Sequence, residues 1–200
     1  MPHREHIEWL DVWVEAAEEP SVSRVLLVGD SITRSYYPHV NDRLKETFAC
    51  ARLATSKCVS DPLFLKELKL VLDEYEFSIV HFNNGLHGWD YNEDAYASGL
   101  ARTLDALCAH SATGTIIWGS TTPVRQKGAL EKLDAKTDRV RERNRIAATL
   151  ADSRGIPVND LFNAAVKHPE YFAEDGVHFG EAGQAVLGNL VAEAILAAAG

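Results

Sequence analysis

Cysteine is scarce. The three cysteines, Cys50, Cys58 and Cys108, form no CxxC pair and match no zinc-ligand spacing. Cys50 and Cys58 lie near each other in the chain, but they read as buried or half-buried free thiols rather than as metal ligands. An odd number of cysteines also speaks against an oxidising compartment. Basic residues are in deficit, since 20 Lys and Arg stand against 29 Asp and Glu, for a net charge of -9. Phosphate backbones and anionic membranes are bound by clustered Lys and Arg, so no nucleic-acid and no membrane partner is expected.

Long apolar runs are missing too. The N-terminal MPHREHIEWL has no apolar signal-peptide segment, and a cytoplasmic location is therefore expected. The C-terminal AVLGNLVAEAILAAAG carries Gly188, Asn189 and Glu193 and is expected to be too short to span a bilayer. Its Leu187, Leu190, Val191, Ala194 and Ile195 recur at helical spacing, which describes one face packed on the core of a soluble protein. There is no internal repeat, low-complexity tract or linker, so residues 1–200 are read as one domain.

A chain of this length buries roughly 70% of the surface it exposes when unfolded, so its core needs no disulfide or metal staple. The composition, 46% hydrophobic and 24% charged, is that of an ordinary globular protein. Ile7, Leu10 and Val14, with Trp9 and Trp13, predict an N-terminal helix of period 3.6. RVLLVG follows as a continuous apolar strand of the kind covered on both faces. A helix is predicted over 41–48, CARLAT as a second strand, and a helix after Pro62 supported by Leu63, Leu65, Leu68, Leu72 and Tyr75. FSIVHF and GTIIWGS read as the third and fourth strands, separated by a helix over 93–110. A long charged helix over 130–153 then leads to a fifth strand, IPVNDL, and the last helix begins near Gly180.

Strands alternating with helices predict a parallel sheet with helices on both faces, joined by right-handed crossovers. Sites in such sheets lie at the carboxyl ends of the strands. The residues there are Asp30 and Ser31, then 55–58, then Asn83, Asn84 and His87, then 120–122. A Ser directly after a strand reads two ways: Asp-Ser is a good helix cap, and Ser is also a nucleophile if an imidazole can take its proton. The distant segment AEDGVHFGEAG places Asp175 and His178 three apart in one turn, which can deliver both the imidazole and the carboxylate that orients it.

The ordered set VGDSIT (28–33), an Asn-rich end to the third strand and DGVHF (175–179) resembles the SGNH (GDSL-type) hydrolase superfamily along essentially the whole chain. WGSTTPV (118–124) and ERNRIAATLADSRGIPVNDLF (142–162) add weaker resemblance. The resemblance implies a three-layer α/β/α, flavodoxin-like fold with a five-stranded parallel sheet of order 2-1-3-4-5. It also implies a serine esterase needing no metal or other cofactor, with Ser31 as nucleophile, His178 as base and Asp175 as its orienter.

Two departures matter. The superfamily's second motif supplies a Gly whose N–H enters the oxyanion hole, and ARLATSKCVSDP contains no Gly, which leaves the N–H of Ser56 or Thr55 for that place beside the N–H of Ser31. The third motif, normally G-x-N-D, is here HFNNGLHGWD; letting Phe82 stand for the Gly puts the oxyanion Asn at Asn84, with Asn83 as the alternative. VNDLF is read as a fifth-strand end where Asp160 helps to start a helix. His87, Trp89 and Trp118 are expected to line the substrate pocket, His81 to be structural, and Arg125 to lie on the surface. The resemblance implies a small-ester partner, by analogy most simply an O-acetylated sugar, and the chain shows no long apolar lid for a lipid tail. The competing reading is an inactive relative kept as a carbohydrate-binding or interaction module.

Overall fold

The computed structural model describes residues 2–110 and 112–200. Among them the chain forms β1 (Leu10–Val14), β2 (Arg24–Gly29), α1 (Ser31–Leu44), β3 (Ala49–Thr55), α2 (Pro62–Leu72) and β4 (Phe77–Phe82). There follow α3 (Glu93–Ala109), β5 (Thr113–Gly119), β6 (Arg125–Gln126), β7 (Ala129–Leu133) and α4 (Lys136–Asp152). The chain ends with β8 (Val158–Asn159), α5 (Leu161–Val166) and α6 (Glu181–Ala199).

Every residue of β2 is buried, as its unbroken apolar run requires, and this strand sits inside a sheet of order β1-β3-β2-β4-β5-β8. The strands from β3 to β8 pair in parallel, which is the order 2-1-3-4-5 for the five strands expected from the sequence. One face of the sheet packs on α1 and α6 through Val40, Leu44, Leu187, Val191 and Ile195. The other face packs on α2, α3 and α4 through Phe64, Leu68, Leu100, Leu104 and Ala147. Three layers result. Gly188 lets α6 approach α1 closely, because a Cβ there would stand 2.6 Å from the Cβ of His39.

Three elements differ from the sequence reading. Residues 10–14 form not a helix but an antiparallel edge strand on β3, so the sheet has a sixth, mixed edge. Without it β3 would leave its outer N–H and C=O groups unpaired, and the β-branched and aromatic run DVWV suits a strand better than a helix. Asp11 Oδ1 accepts from Arg52 Nε at 3.1 Å and Nη2 at 2.8 Å, tying the ladder from the side.

The charged stretch before α4 is not all helical: β6 and β7 form a hairpin whose turn needs the φ of +76° that Gly128 supplies. The helix expected over 41–48 is instead the C-terminal part of α1, which begins at Ser31. The last helix begins where the sequence places it, but α6 runs 19 residues and is long and apolar enough to cross a membrane by length and composition alone. Here one side of it is packed on α1.

Candidate active site

β2 ends at Gly29, and Asp30, in extended conformation, caps α1 by accepting the Ile32 N–H at Oδ1, 2.9 Å. The capping reading and the nucleophile reading of Asp-Ser are therefore compatible, since the cap is Asp30 and Ser31 is the first helical residue. Gly29 is required here: a Cβ would stand 2.0 Å from Thr33 Oγ1, so the first turn of α1 lies directly on the strand end. The N–H of Ser31 is one of the unpaired donors of a helix start and finds no acceptor among the described residues. The positive end of the helix dipole faces the same point.

The turn before α6 brings the other two groups. Asp175 Oδ1 accepts the N–H groups of Val177 and His178, each at 2.9 Å, and Oδ2 accepts His178 Nδ1–H at 2.6 Å. The turn depends on Gly176, at φ +75°, whose missing side chain leaves room for the carbonyl of Arg125, 2.2 Å from where a Cβ would be. The Arg125 N–H donates to Gly176 O at 2.7 Å, and the Phe172 and Phe179 rings close the base of the turn with centroids 4.4 Å apart. On the far side of the imidazole, His178 Nε2 is 2.9 Å from Ser31 Oγ. With Nδ1–H directed at a carboxylate, the lone pair of Nε2 faces the serine hydroxyl, which is the tautomer a general base needs.

Partial burial would raise the Asp175 carboxyl, but the ring N–H of His178 and the N–H groups of Val177 and His178 outweigh it and hold its pKa at about 2, against 3.8 ordinarily. A group ionised more readily in the folded than in the unfolded state stabilises the fold above its unfolded pKa and loses that contribution as pH falls through the folded value. The Tm difference between the wild-type chain and Asp175→Asn is thus expected to be constant above about pH 4 and to shrink between pH 4 and 2. Parallel thermal melts across that window check it; a difference independent of pH would refute the assignment of the low value to Asp175.

The loops after β3 and β4 correct two expectations. The N–H of Ser56 is already given to Trp9 O at 3.1 Å, so it is not free for an oxyanion. Thr55 ends β3, and its hydroxyl is held by Glu67 Oε2 at 2.6 Å. Asn84 is engaged through both heteroatoms of its amide: Oδ1 accepts the Val59 N–H at 3.1 Å and Nδ2 donates to Lys57 O at 2.9 Å, so this side chain fastens the 57–59 loop. Asn83, the alternative, stands beside the nucleophile's strand through its N–H to Val28 O, 2.9 Å. One amide hydrogen of Asn83 goes to Gly119 O at 2.7 Å, leaving the other with only a long contact, 3.3 Å, to Thr121 Oγ1. Strand pairing thus continues one residue past β4 and places Asn83 at the carboxyl edge of the sheet.

Trp118 is not a pocket residue. It is 1% exposed and packs edge-on against Phe82, with centroids 5.1 Å apart, inside the core. Arg125, expected on the surface, is 4% exposed; it donates to Leu130 O and Val166 O beneath the Asp175–His178 turn. Cys50 and Cys58 are buried and Cys108 is exposed. His81 is fully buried in β4, where burial lowers its pKa to about 4. Asp160 caps α5 by accepting the Asn163 N–H at 3.0 Å. His87 and Trp89 line a cavity of about 410 Å³ together with residues 3–6, Leu86, Gly88 and Asp90, and no residue of the Ser31–His178–Asp175 line borders it.

Two sets of residues around this cavity were not anticipated. Arg143, 1% exposed, donates to the carbonyls of Gly85 and His87 at 2.8 Å and of Gly88 at 3.1 Å. One turn earlier on α4, Arg139 donates to Trp89 O and Tyr91 O, each at 2.7 Å. This pair fixes the backbone of the whole 85–91 loop from beneath, and both guanidinium groups lie over the Trp89 ring. The second set is the N-terminal segment 3–9, which crosses the carboxyl edge and is held by Arg4–Asp61, Glu8–Lys57 and Trp9–Ser56 contacts.

No family model matches the sequence, and no curated protein does. Solved structures do resemble it. A GDSL-like lipase from Bacteroides thetaiotaomicron shares 21% identity over 88% of this chain and 89% of its own, with a TM-score of 0.70. An acetyl xylan esterase shares 17% identity over 86% of this chain and 99% of its own, TM-score 0.71. A carbohydrate esterase of family 3 from Talaromyces cellulolyticus shares 16% identity over 87% and 96%, TM-score 0.68. The chain has the fold of the SGNH (GDSL-type) hydrolases.

Proposed function

We propose that the protein is a serine esterase that removes short acyl groups, most simply acetyl, from carbohydrate hydroxyls. The observation that carries this reading is the continuous Ser31 Oγ–His178 Nε2–His178 Nδ1–Asp175 Oδ2 line, with steps of 2.9 Å and 2.6 Å, at the start of a helix. Ser31 attacks the ester carbonyl while His178 takes its proton. The tetrahedral oxyanion is received by the Ser31 N–H and the second amide hydrogen of Asn83. His178 returns the proton to the leaving alcohol, and the acyl–Ser31 ester is then hydrolysed by a water that His178 activates in the same way. Asp175 stays ionised throughout and steadies the imidazolium.

The sugar preference rests on two supports. The cavity bordered by His87 combines polar side chains from residues 3–6 with the Trp89 indole, a mixture that suits a sugar's hydroxyls and apolar face. Two of the fold's neighbours are described as an acetyl xylan esterase and a carbohydrate esterase. A fluorophosphonate probe tests the core of the reading: one adduct is expected, mapped to the peptide carrying Ser31, with concurrent loss of p-nitrophenyl acetate hydrolysis. EDTA is expected to leave turnover unaffected. Adduct formation on Ser35 or Ser120, or turnover insensitive to the probe, would remove Ser31 from the nucleophile's role.

A further inference from the structure

A second carboxylate–imidazole pair stands at the carboxyl edge. Glu5, from the N-terminal segment, places Oε1 and Oε2 at 3.0 and 2.9 Å from His87 Nδ1, and Oε1 also accepts the Gly88 N–H at 3.2 Å. A carboxylate only accepts hydrogen bonds at neutral pH, so His87 Nδ1 carries the proton whenever the ring is neutral. His87 Nε2 has no partner among the described residues.

The pair belongs to the nucleophile's side of the molecule. Arg34 follows Ser31 by three residues in α1 and so lies on the same helical face. Its guanidinium stacks 4.8 Å from the Trp9 ring, and that ring meets the His87 imidazole edge-on at 6.4 Å. From beneath, Arg143 holds the carbonyls of Gly85, Gly88 and His87 itself, so the backbone that carries the imidazole is fixed as well.

We propose that Glu5 is a positioning residue which locks the His87 ring so that Nε2 is presented as a hydrogen-bond acceptor to a hydroxyl on the alcohol portion of the substrate, adjacent to the ester being cleaved. The inference rests on the esterase reading for its substrate half only. Free imidazole favours the proton on Nε2, which would make that atom a donor; the Glu5 carboxylate reverses this. Acceptance selects for alcohols with a free neighbouring hydroxyl and against those in which it is acylated, because a site built to bond a hydroxyl discriminates against ligands that lack it. Segment 3–9 is on this view part of the substrate site and not a tether for β1 alone.

The test compares a monoacetylated xylose, which keeps free hydroxyls, with fully acetylated xylose, which has none. The full-length wild type is expected to prefer the former by roughly tenfold in kcat/KM, the effect of one net hydrogen bond. Glu5→Ala should collapse that preference through KM, Glu5→Gln should restore most of it because its amide oxygen still accepts from Nδ1–H, and Glu5→Ala in a His87→Ala background should add nothing. Independently, long-range proton–nitrogen spectra of the histidine rings should show His87, identified by its loss in His87→Ala, protonated on Nδ1 in the wild type and shifted toward Nε2 in Glu5→Ala.

An unchanged tautomer, or a preference that survives Glu5→Ala, overturns the proposal even if Tm falls, since a merely structural strap would lower Tm and nothing else. A wild type that cleaves neither sugar ester and takes no phosphonate on Ser31 fails the esterase reading, and the substrate half with it. The ring spectra decide the clamp in either case.

Discussion

Ser31→Ala is expected to lower kcat for p-nitrophenyl acetate by roughly five to six powers of ten, and His178→Ala by about as much, with the double variant no worse than either. In the proposed mechanism the three side chains act as one device: without the hydroxyl the imidazole has nothing to deprotonate, and without the imidazole the hydroxyl is not a nucleophile at neutral pH. Asp175→Asn is expected to cost roughly 10^4-fold, since an amide cannot hold the Nδ1–H tautomer as the carboxylate does at 2.6 Å. The substitutions should leave the fold intact at the nucleophile, because Ser31 contributes no capping bond; that task belongs to Asp30. Steady-state kinetics with melting curves for each variant make the check. Additive losses in the double variant, or a Ser31→Ala protein that retains turnover, would remove the triad from the mechanism.

The sequence was most informative where one physical rule dominated. Burial on both faces made β2 readable along its whole length, and with it most of β4 and the second half of β5, because a strand covered on both faces is apolar at nearly every position. The meeting of Ser31, His178 and Asp175 was readable from residue types at the ends of elements: a small hydroxyl after β2, and an acid–imidazole turn before α6. What failed depended on partners far away in the chain. β1 is a strand because β3 offers an open edge; DVWV suits a strand locally, but the edge it completes belongs to a segment far along the chain. Trp118 looked like a pocket residue from its place near a strand end, yet the last residues of β5 are still in the core.

Arg143 and Arg139 belonged to a charged run that reads as a solvated helix face. Their real partners are carbonyls 48 to 58 residues earlier, and no local pattern encodes that. Glu5 escaped notice for the same reason. Its meaning comes only from a partner 82 positions later, His87, folding back onto the same carboxyl edge.

The two asparagines after β4 are expected to separate catalysis from stability. Asn83→Ala should lower kcat by roughly two to three powers of ten with little change in KM, because the lost donor meets an oxygen that is fully charged only in the transition state. Its Tm should fall less than in Asn84→Ala, since it strands one buried carbonyl, Gly119 O, and no backbone N–H. Asn84→Ala should do the reverse. It strands the Val59 N–H and the Lys57 carbonyl, both closed off by the 57–59 loop, and each buried group left unpaired costs about 1–3 kcal/mol. Tm should fall by several degrees, and kcat should drop only as far as the loosened loop disturbs the cleft.

Asn84→Asp sharpens the distinction. Aspartate still accepts from the Val59 N–H, but its second oxygen faces Lys57 O, so stability should be lost nearly as in Asn84→Ala. A protein in which Asn84→Ala abolishes kcat at unchanged Tm while Asn83→Ala is silent would move the oxyanion donor to the other side chain, against the hydrogen bonds that Asn84 already makes.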